Sequence, residues 1–101
     1  MFQKGTFMTL NLIKLTEIRE RSIRHGAQKK FVLNEILINP LNISYMRDDE
    51  EHKRYIRSLR AWPAGLSEEI ELTRIYFANN SETNSICILG DATSVALKFR
   101  I

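Results

Sequence analysis

The stretch EIELTRIYF, residues 69–77, is followed by the polar run NNSETN at 79–84 and by SICIL at 85–89. In the first half of 69–77, Glu69 and Glu71 alternate with apolar residues, which is typical of a half-buried strand, and the second half is apolar on both faces. A helix over these residues would scatter them around its axis instead of making one apolar stripe. The polar run has the composition of a turn. Residues 69–89 are therefore predicted to form a β-hairpin.

Four further runs have strand character because they alternate or are rich in β-branched and aromatic residues. In the first run, Ile13 and Leu15 alternate with polar residues, and Ile18 breaks the alternation. A β-bulge would restore it, and so would an end of the strand at that point. The last run alternates apolar residues from Val95 to Ile101 and is predicted to be a final strand. The four runs lie within residues 10–24, 31–38, 43–46 and 95–101.

Residues 48–61 differ in character from the rest of the chain. Four acidic residues at 48–51 precede the basic residues of this segment, an order that suits the helix macrodipole. Asp48 as N-cap, with Glu51 three residues later, resembles a capping box. A long polar loop between strands is the competing interpretation. The sequence predicts one short helix or ordered loop at 48–61.

These elements predict a mainly β fold of about six short strands. Sequential antiparallel pairing is the simplest topology for such spacing, and a small twisted sheet of this kind curls into a partly closed barrel. We therefore expect a small antiparallel barrel or curled sheet. With few glycines and prolines and no linker-like run, residues 10–101 are expected to form a single β domain, and residues 1–9 an N-terminal tail or lead-in to the first strand.

The composition places the chain among soluble globular proteins. Its 101 residues are 44% hydrophobic and 27% charged, with a net charge of +3. No apolar run approaches the roughly 18 residues that a transmembrane helix needs, so no membrane span is expected. Cys87 is the only cysteine, which rules out an internal disulfide, and residues 1–9 lack the apolar stretch of a signal peptide. Both features favour a cytoplasmic location.

Four segments carry a resemblance to a known family. They are the strand at 13–16, the FVLN run at 31–34, the short strand around Ile43, and the TRIYFAN segment at 73–79 followed by CIL at 87–89. Their order resembles the FlbD-type family of small bacterial flagellar and swarming β proteins. The resemblance implies a bacterial cytoplasmic accessory protein with no known chemistry. Asn79 is not followed by the glycine of the family pattern, and residues 47–68 would be a large insertion.

The residues that could carry catalysis do not form a recognisable constellation. His25 lies in a predicted turn, and His52 follows the four acids that are better explained as the start of a helix. Cys87 stands between two isoleucines in an apolar strand, where a buried thiol is expected rather than a nucleophile. The sequence has no phosphate-binding or dinucleotide-binding glycine motif and no nucleophile elbow. We therefore expect no enzyme activity, no cofactor and no metal site.

A small β protein without catalytic groups usually works through its surface. The expected function is that of a non-enzymatic interaction module, a bacterial or phage accessory protein whose partner is another protein or a second copy of the chain. A final strand at the chain end would offer an open sheet edge for such pairing. Basic residues at helical spacing and a tryptophan that could anchor a partner give the candidate partner-binding residues Lys53, Arg54, Arg57, Arg60 and Trp62.

The alternative is a small basic nucleic-acid-binding protein. Residues 1–30 contain seven Lys or Arg and two Glu, so the positive charge is concentrated at the start of the chain. Basic groups here could contact phosphates without regard to sequence. The candidate patch around the first predicted hairpin consists of Arg19, Arg21, Arg24, Lys29 and Lys30.

Overall fold

A computed structural model describes residues 11–21, 29–78 and 84–99. The predicted tail at 1–9 lies outside these residues. The described residues form five strands and two α-helices, and a short 3-10 helix at Pro40–Asn42 joins the second and third strands. In chain order the elements are β1 (Ile13–Arg21), β2 (Lys30–Ile38), β3 (Ile43–Asp48), α1 (Glu50–Ser58), β4 (Leu72–Phe77), β5 (Ser85–Leu89) and α2 (Ala92–Leu97).

The five strands form one antiparallel sheet in the order β2-β1-β5-β4-β3. The prediction of a mainly β fold is confirmed, with five strands instead of about six. The barrel is not closed, because β2 and β3 are the two edges and do not pair with each other in the described residues. Sequential pairing therefore fails at this one connection. Ile38 and Ile43, at its two ends, still pack in the same apolar cluster.

The two strands of the predicted hairpin at 69–89 are present as β4 and β5, while most of its predicted turn, residues 79–83, lies outside the described residues. The two strands pair from Leu72 opposite Leu89 to Tyr76 opposite Ser85. The first strand of the hairpin begins at Leu72, later than the alternation of Glu69 and Glu71 suggested. Leu72 and Ile75 are both buried although they point to opposite faces. The prediction of a strand in this segment is confirmed.

The break in the alternation of β1 marks a change in which face is buried. The pairing of β1 with β2 runs without a shift from Ile13 to Arg21, so neither the predicted bulge nor a strand end occurs. Leu15 and Ile18 lie on opposite faces of the strand, and both are buried. Leu15 packs with Val95 of α2, whereas Ile18 packs with Ile56 of α1. Each helix covers one face of the sheet, and these faces are called the α1 face and the α2 face below.

The segment at 48–61 contains a helix, α1, and the loop alternative is wrong. Its N-cap is Asp49 rather than Asp48: the Asp49 side chain accepts a hydrogen bond from the His52 backbone N–H at 3.0 Å. Asp48 instead accepts a hydrogen bond from the backbone N–H of Ala92, at 2.8 Å, and so holds the start of α2. The chain leaves α1 through Arg60, whose φ of 56° is in the left-handed region that often ends helices.

The predicted final strand at 95–101 is wrong, because residues 92–97 form α2. The apolar residues at 95, 97 and 99 alternate, but those at 95 and 99 also have the i, i+4 spacing of one helix face. In the structure this face packs against the sheet. Val95 is buried and Phe99 packs against the same cluster, while Leu97 is exposed. Asp91 caps the helix by accepting hydrogen bonds from the N–H and hydroxyl of Ser94. None of the described helices is long and apolar enough to cross a membrane.

Candidate functional site

Exposed leucines lie along β2, an edge strand of the sheet, and just before its neighbour β1. Leu33 and Leu37 lie on β2, Leu41 lies in the 3-10 helix that follows, and Leu12 precedes β1. Leu37 is 62% exposed and Leu41 is 82% exposed. Scattered apolar side chains are normal on a surface, but a row of them along one edge strand is the pattern of a contact surface. We call these four residues the leucine edge.

The leucine edge is exposed because α1 covers only one end of β2. Phe31, at the start of the strand, is buried and makes edge-on contacts with the rings of His52 and Tyr55. Leu33 and Leu37 point to the same face as Phe31, since they are two and six residues further along. They lie beyond the helix, opposite Ile18 and Lys14 of β1.

The backbone of β2 adds to this surface. The strand has nine residues, and no strand of the described residues pairs with its outer side. An unpaired edge of this length presents a row of free N–H and C=O groups that can template another strand. The one charged side chain on the α1 face between the two leucines is Glu35, which lies 3.9 Å from Lys14 in an exposed ion pair. The predicted open edge at the end of the chain is therefore wrong, and β2 is one of the two edges of the described sheet.

Of the predicted partner-binding residues, Arg57, Arg60 and Trp62 line one open cleft of about 380 Å³ together with Glu68. Lys53 is buried: its ammonium lies 3.4 Å from Glu71 and 5.9 Å from the centre of the Trp62 ring. The Trp62 indole N–H donates to the carbonyl of Leu66 at 3.0 Å, so the ring folds back onto its own chain. Lys53 and Trp62 therefore help to attach α1 and the loop to the sheet.

The three arginines of this group remain at the surface. Arg57 pairs with Glu68 at 3.2 Å. Arg54 and Arg60 are exposed. That these residues bind a partner stays a prediction. The ion pair of Arg57 reduces the positive charge that this surface offers.

The basic residues of the first hairpin are divided between the two faces. Arg21 lies directly opposite Lys30, so the side chains of Arg19, Arg21 and Lys30 share the α2 face. An open cleft of about 760 Å³ lies beside them, lined in part by Arg19 and Arg21. Lys29 instead pairs with Glu20 at 3.0 Å. Arg24 lies outside the described residues.

A second, polar cleft lies on the α1 face between the start of α1 and strands β3 to β5. Its volume is about 380 Å³, and most of its lining side chains are charged or polar. Asp49 and Arg74 form a largely buried ion pair, with 2.9 Å between Oδ2 and Nε. Sequence reasoning missed this cleft, because its members are brought together by strand pairing. Its lining residues are Arg47, Asp49, Glu51, His52, Tyr55, Arg74, Tyr76 and Ser85.

The ionisable groups of the polar cleft are shifted by burial and by one another. Burial alone would raise the pKa of Asp49, but hydrogen bonds from the His52 backbone N–H and from Arg74 outweigh it and lower that pKa. Burial and the positive charge of Arg74 lower the pKa of the His52 imidazole. Tyr76 is stacked on Tyr45, with 4.4 Å between ring centres, and its hydroxyl accepts a hydrogen bond from Arg47 at 2.9 Å.

The lone cysteine lies behind this cleft. Cys87 is directly opposite Arg74 in the sheet and is buried against Ile18 and Ile56. Burial raises the pKa of its thiol to about 12, which suits a core residue and opposes a nucleophile. Within residues 11–21, 29–78 and 84–99, no three His, Cys, Asp or Glu side chains are grouped so as to hold a metal ion.

Comparison with models of known protein families finds no match, and searches of curated proteins and of solved structures find none either. The resemblance to the FlbD-type family therefore stays a prediction.

Proposed function

We propose that this protein is a non-enzymatic interaction module that associates through the leucine edge of β2, and that the partner strand belongs to a second copy of the chain. The observation that carries the proposal is the exposure of Leu33 and Leu37 on a nine-residue strand whose outer side is unpaired in the described part of the chain. Pairing of two edges would satisfy backbone groups and remove apolar surface from water in one step.

A two-fold antiparallel pairing of β2 with itself has a favoured register. When the axis passes through Glu35, Leu33 of one copy lies opposite Leu37 of the other, so Leu33 and Leu37 of both copies are paired with leucines. The two Glu35 side chains then face each other, which is unfavourable for like charges. Each of them has Lys14 of its own chain 3.9 Å away, which offsets part of the repulsion. This register makes the β2 part of the leucine edge complementary to the same part of a second copy.

The described chemistry supports binding rather than catalysis. The single thiol is buried and its pKa is raised to about 12. The buried charged residues Asp49 and Lys53 have partners that fix α1 to the sheet. These groups stabilise the fold. The exposed side chains of the leucine edge are not part of the buried core of the described residues.

The proposal is tested by the mass of the protein in solution over a range of concentrations. Wild type should reach twice the monomer mass of 11.8 kDa. Leu37→Lys should remain monomeric, because it places a charge in the centre of the leucine edge. The matched control is Leu97→Lys, which changes an exposed leucine of α2 in the same way and should still dimerise. A wild-type protein that stays monomeric at every concentration would contradict the proposal.

A second candidate function, binding of nucleic acid, is supported by one observation. Arg19, Arg21 and Lys30 share the α2 face beside an open cleft, where they could bind successive phosphates. Replacing all three with Gln should weaken binding to a random oligonucleotide. The slope of log affinity against log salt should also become shallower, by about 0.7–0.9 for each phosphate that the variant no longer neutralises.

The control for this second candidate is the triple Gln variant of Arg54, Arg57 and Arg60, which removes the same charge elsewhere. Equal weakening in the two triple variants would show diffuse attraction to a basic protein and no defined patch. Absence of binding by wild type at low salt would dismiss the second candidate.

A further inference from the structure

Two arginines face each other across the pairing of β3 with β4. Arg47 and Arg74 are direct partners in the antiparallel register, so both side chains lie on the α1 face. Side chains of direct partners start about 4.5–5.5 Å apart, and like charges at such positions are destabilising. The fold therefore holds two positive charges close together at the polar cleft.

Both oxygens of the single buried carboxylate of the polar cleft already accept hydrogen bonds. Asp49 accepts from the His52 backbone N–H with Oδ1 and from Arg74 Nε with Oδ2. It neutralises Arg74 and leaves Arg47 with no carboxylate oxygen within 4 Å among the described residues. Arg47 is held in place by neutral groups: its Nη2 donates to the Tyr76 hydroxyl, and its guanidinium carbon lies 5.7 Å from the centre of the Tyr76 ring.

Further hydrogen-bond donors point to the same space. Arg74 uses Nε for Asp49, and its Nη1 is 3.5 Å from the Ser85 hydroxyl, a long contact that leaves this group free to turn toward a ligand. The Tyr76 hydroxyl accepts from Arg47 and retains its own proton to donate. Arg47, Arg74, Tyr76 and Ser85 thus come from three adjacent strands and line one cleft of about 380 Å³.

We propose that the polar cleft binds a phosphate group, as the free ion or as a small phosphate monoester, between Arg47 and Arg74. Guanidinium groups recognise phosphate through paired, charge-assisted hydrogen bonds, and a bound dianion would give Arg47 the anionic partner that it does not have among the described residues. This site is separate from the leucine edge and does not depend on the proposed dimer.

One acidic residue of the polar cleft opposes the ligand. Glu51 lies in the first turn of α1 and lines the same cleft. Its charge would weaken binding of a dianion, so Glu51→Gln should tighten it. Asp49 does not oppose binding to the same degree, because its charge is taken up by Arg74.

The proposal is tested by titrating inorganic phosphate and, separately, phenyl phosphate into the full chain while following backbone amide signals by NMR. The shifts should be confined to residues of the polar cleft. Arg47→Gln should weaken binding at least about tenfold, since it removes one charged donor pair. Arg54→Gln, which removes one exposed arginine outside the cleft, should bind as wild type does. Arg47 is exposed, so its replacement should leave the fold intact.

A second readout comes from His52, whose ring also lines the cleft. It faces Arg74, Asp49 and Glu20, and it packs against Phe31 and Tyr55. A bound dianion should raise the pKa of this imidazole, and the increase should vanish in Arg47→Gln.

The two probes separate the possible sources of the phosphate. Equal affinities would assign the site to the free ion, and tighter binding of phenyl phosphate would assign it to a monoester whose organic part reaches the rings of Tyr55 and His52. Absence of shifts with both probes, or equal weakening in Arg47→Gln and Arg54→Gln, would overturn the proposal.

Discussion

Cys87 combines an apolar environment with a charged neighbour in the sheet. Arg74 lies opposite it and would favour the thiolate, but burial dominates and raises the thiol pKa to about 12. A thiol reagent should therefore label Cys87 slowly in native buffer and fast in denaturant. Cys87→Ala should lower the free energy of unfolding by about 1–2 kcal/mol, the usual effect of removing a small buried group. Rapid labelling of the native protein would show that the thiol is accessible.

His52 should make the stability of the protein depend on pH in a defined window. Its pKa is lowered by burial and by Arg74 from the ordinary value of 6.5. As the pH falls below 6.5, the unfolded chain takes up this proton before the folded chain does, so the free energy of unfolding should decrease. The decrease should end at the lowered pKa of the folded state.

The contribution of Asp49 lies in a different window from that of His52. Its pKa is also lowered in the fold, so the stability it provides is present above its ordinary value of 3.8 and is lost below it. Denaturant unfolding of wild type and His52→Gln between about pH 7.5 and 3 separates the two groups. The variant should lose the upper part of the pH dependence and keep the acid part. An unchanged profile in His52→Gln would contradict this assignment.

Asp49 connects two elements, since it caps α1 and neutralises Arg74 on β4. Asp49→Ala should therefore remove a helix cap and leave a partly buried arginine without its partner, with an expected decrease of about 2–4 kcal/mol in the free energy of unfolding. Asp91→Ala removes only the cap of α2 and should cost less. Equal decreases in the two variants would mean that the ion pair with Arg74 contributes nothing.

A double-mutant cycle isolates the ion pair. Arg74→Leu together with Asp49→Ala should be less destabilising than the sum of the single changes, because each single change leaves a charge without its partner. Additive effects would contradict the coupling of α1 to β4 that the geometry shows.

The elements that sequence reasoning predicted correctly are those whose pattern fits one kind of structure. The sequences of β4 and β5 have apolar residues on both faces and are separated by a polar run, and α1 has acids before bases. The run from Val95 fits a strand and a helix equally by its apolar residues. The N-cap of Asp91 and the packing of Val95 against the sheet favour the helix. The sequence alone does not show this packing.

At the scale of the whole molecule, the order of the strands decides which residues form a surface. Leu33 and Leu37 lie in the dense apolar run 31–38, and their sequence pattern does not indicate that they are exposed. The sequence does not show that β2 is an edge strand or that α1 covers only its first residues. Arg47 and Arg74 lie far apart in the chain, and only the register of β3 with β4 brings them together. The open edge predicted at the chain end is absent because α2 replaces the final strand. The reasoning that an unpaired strand edge can pair with another strand applies instead to β2.

The central claim, that β2 pairs with β2 of a second copy around Glu35, is tested most directly by disulfide trapping. Glu35→Cys places a thiol at the proposed two-fold axis, where directly opposite Cα atoms are close enough for a disulfide. Under mild oxidation this variant should form a covalent dimer rapidly, while Glu68→Cys, an exposed position near Arg57, should not. The native Cys87 is buried and should not interfere. Equal and slow cross-linking of the two variants would contradict the claim.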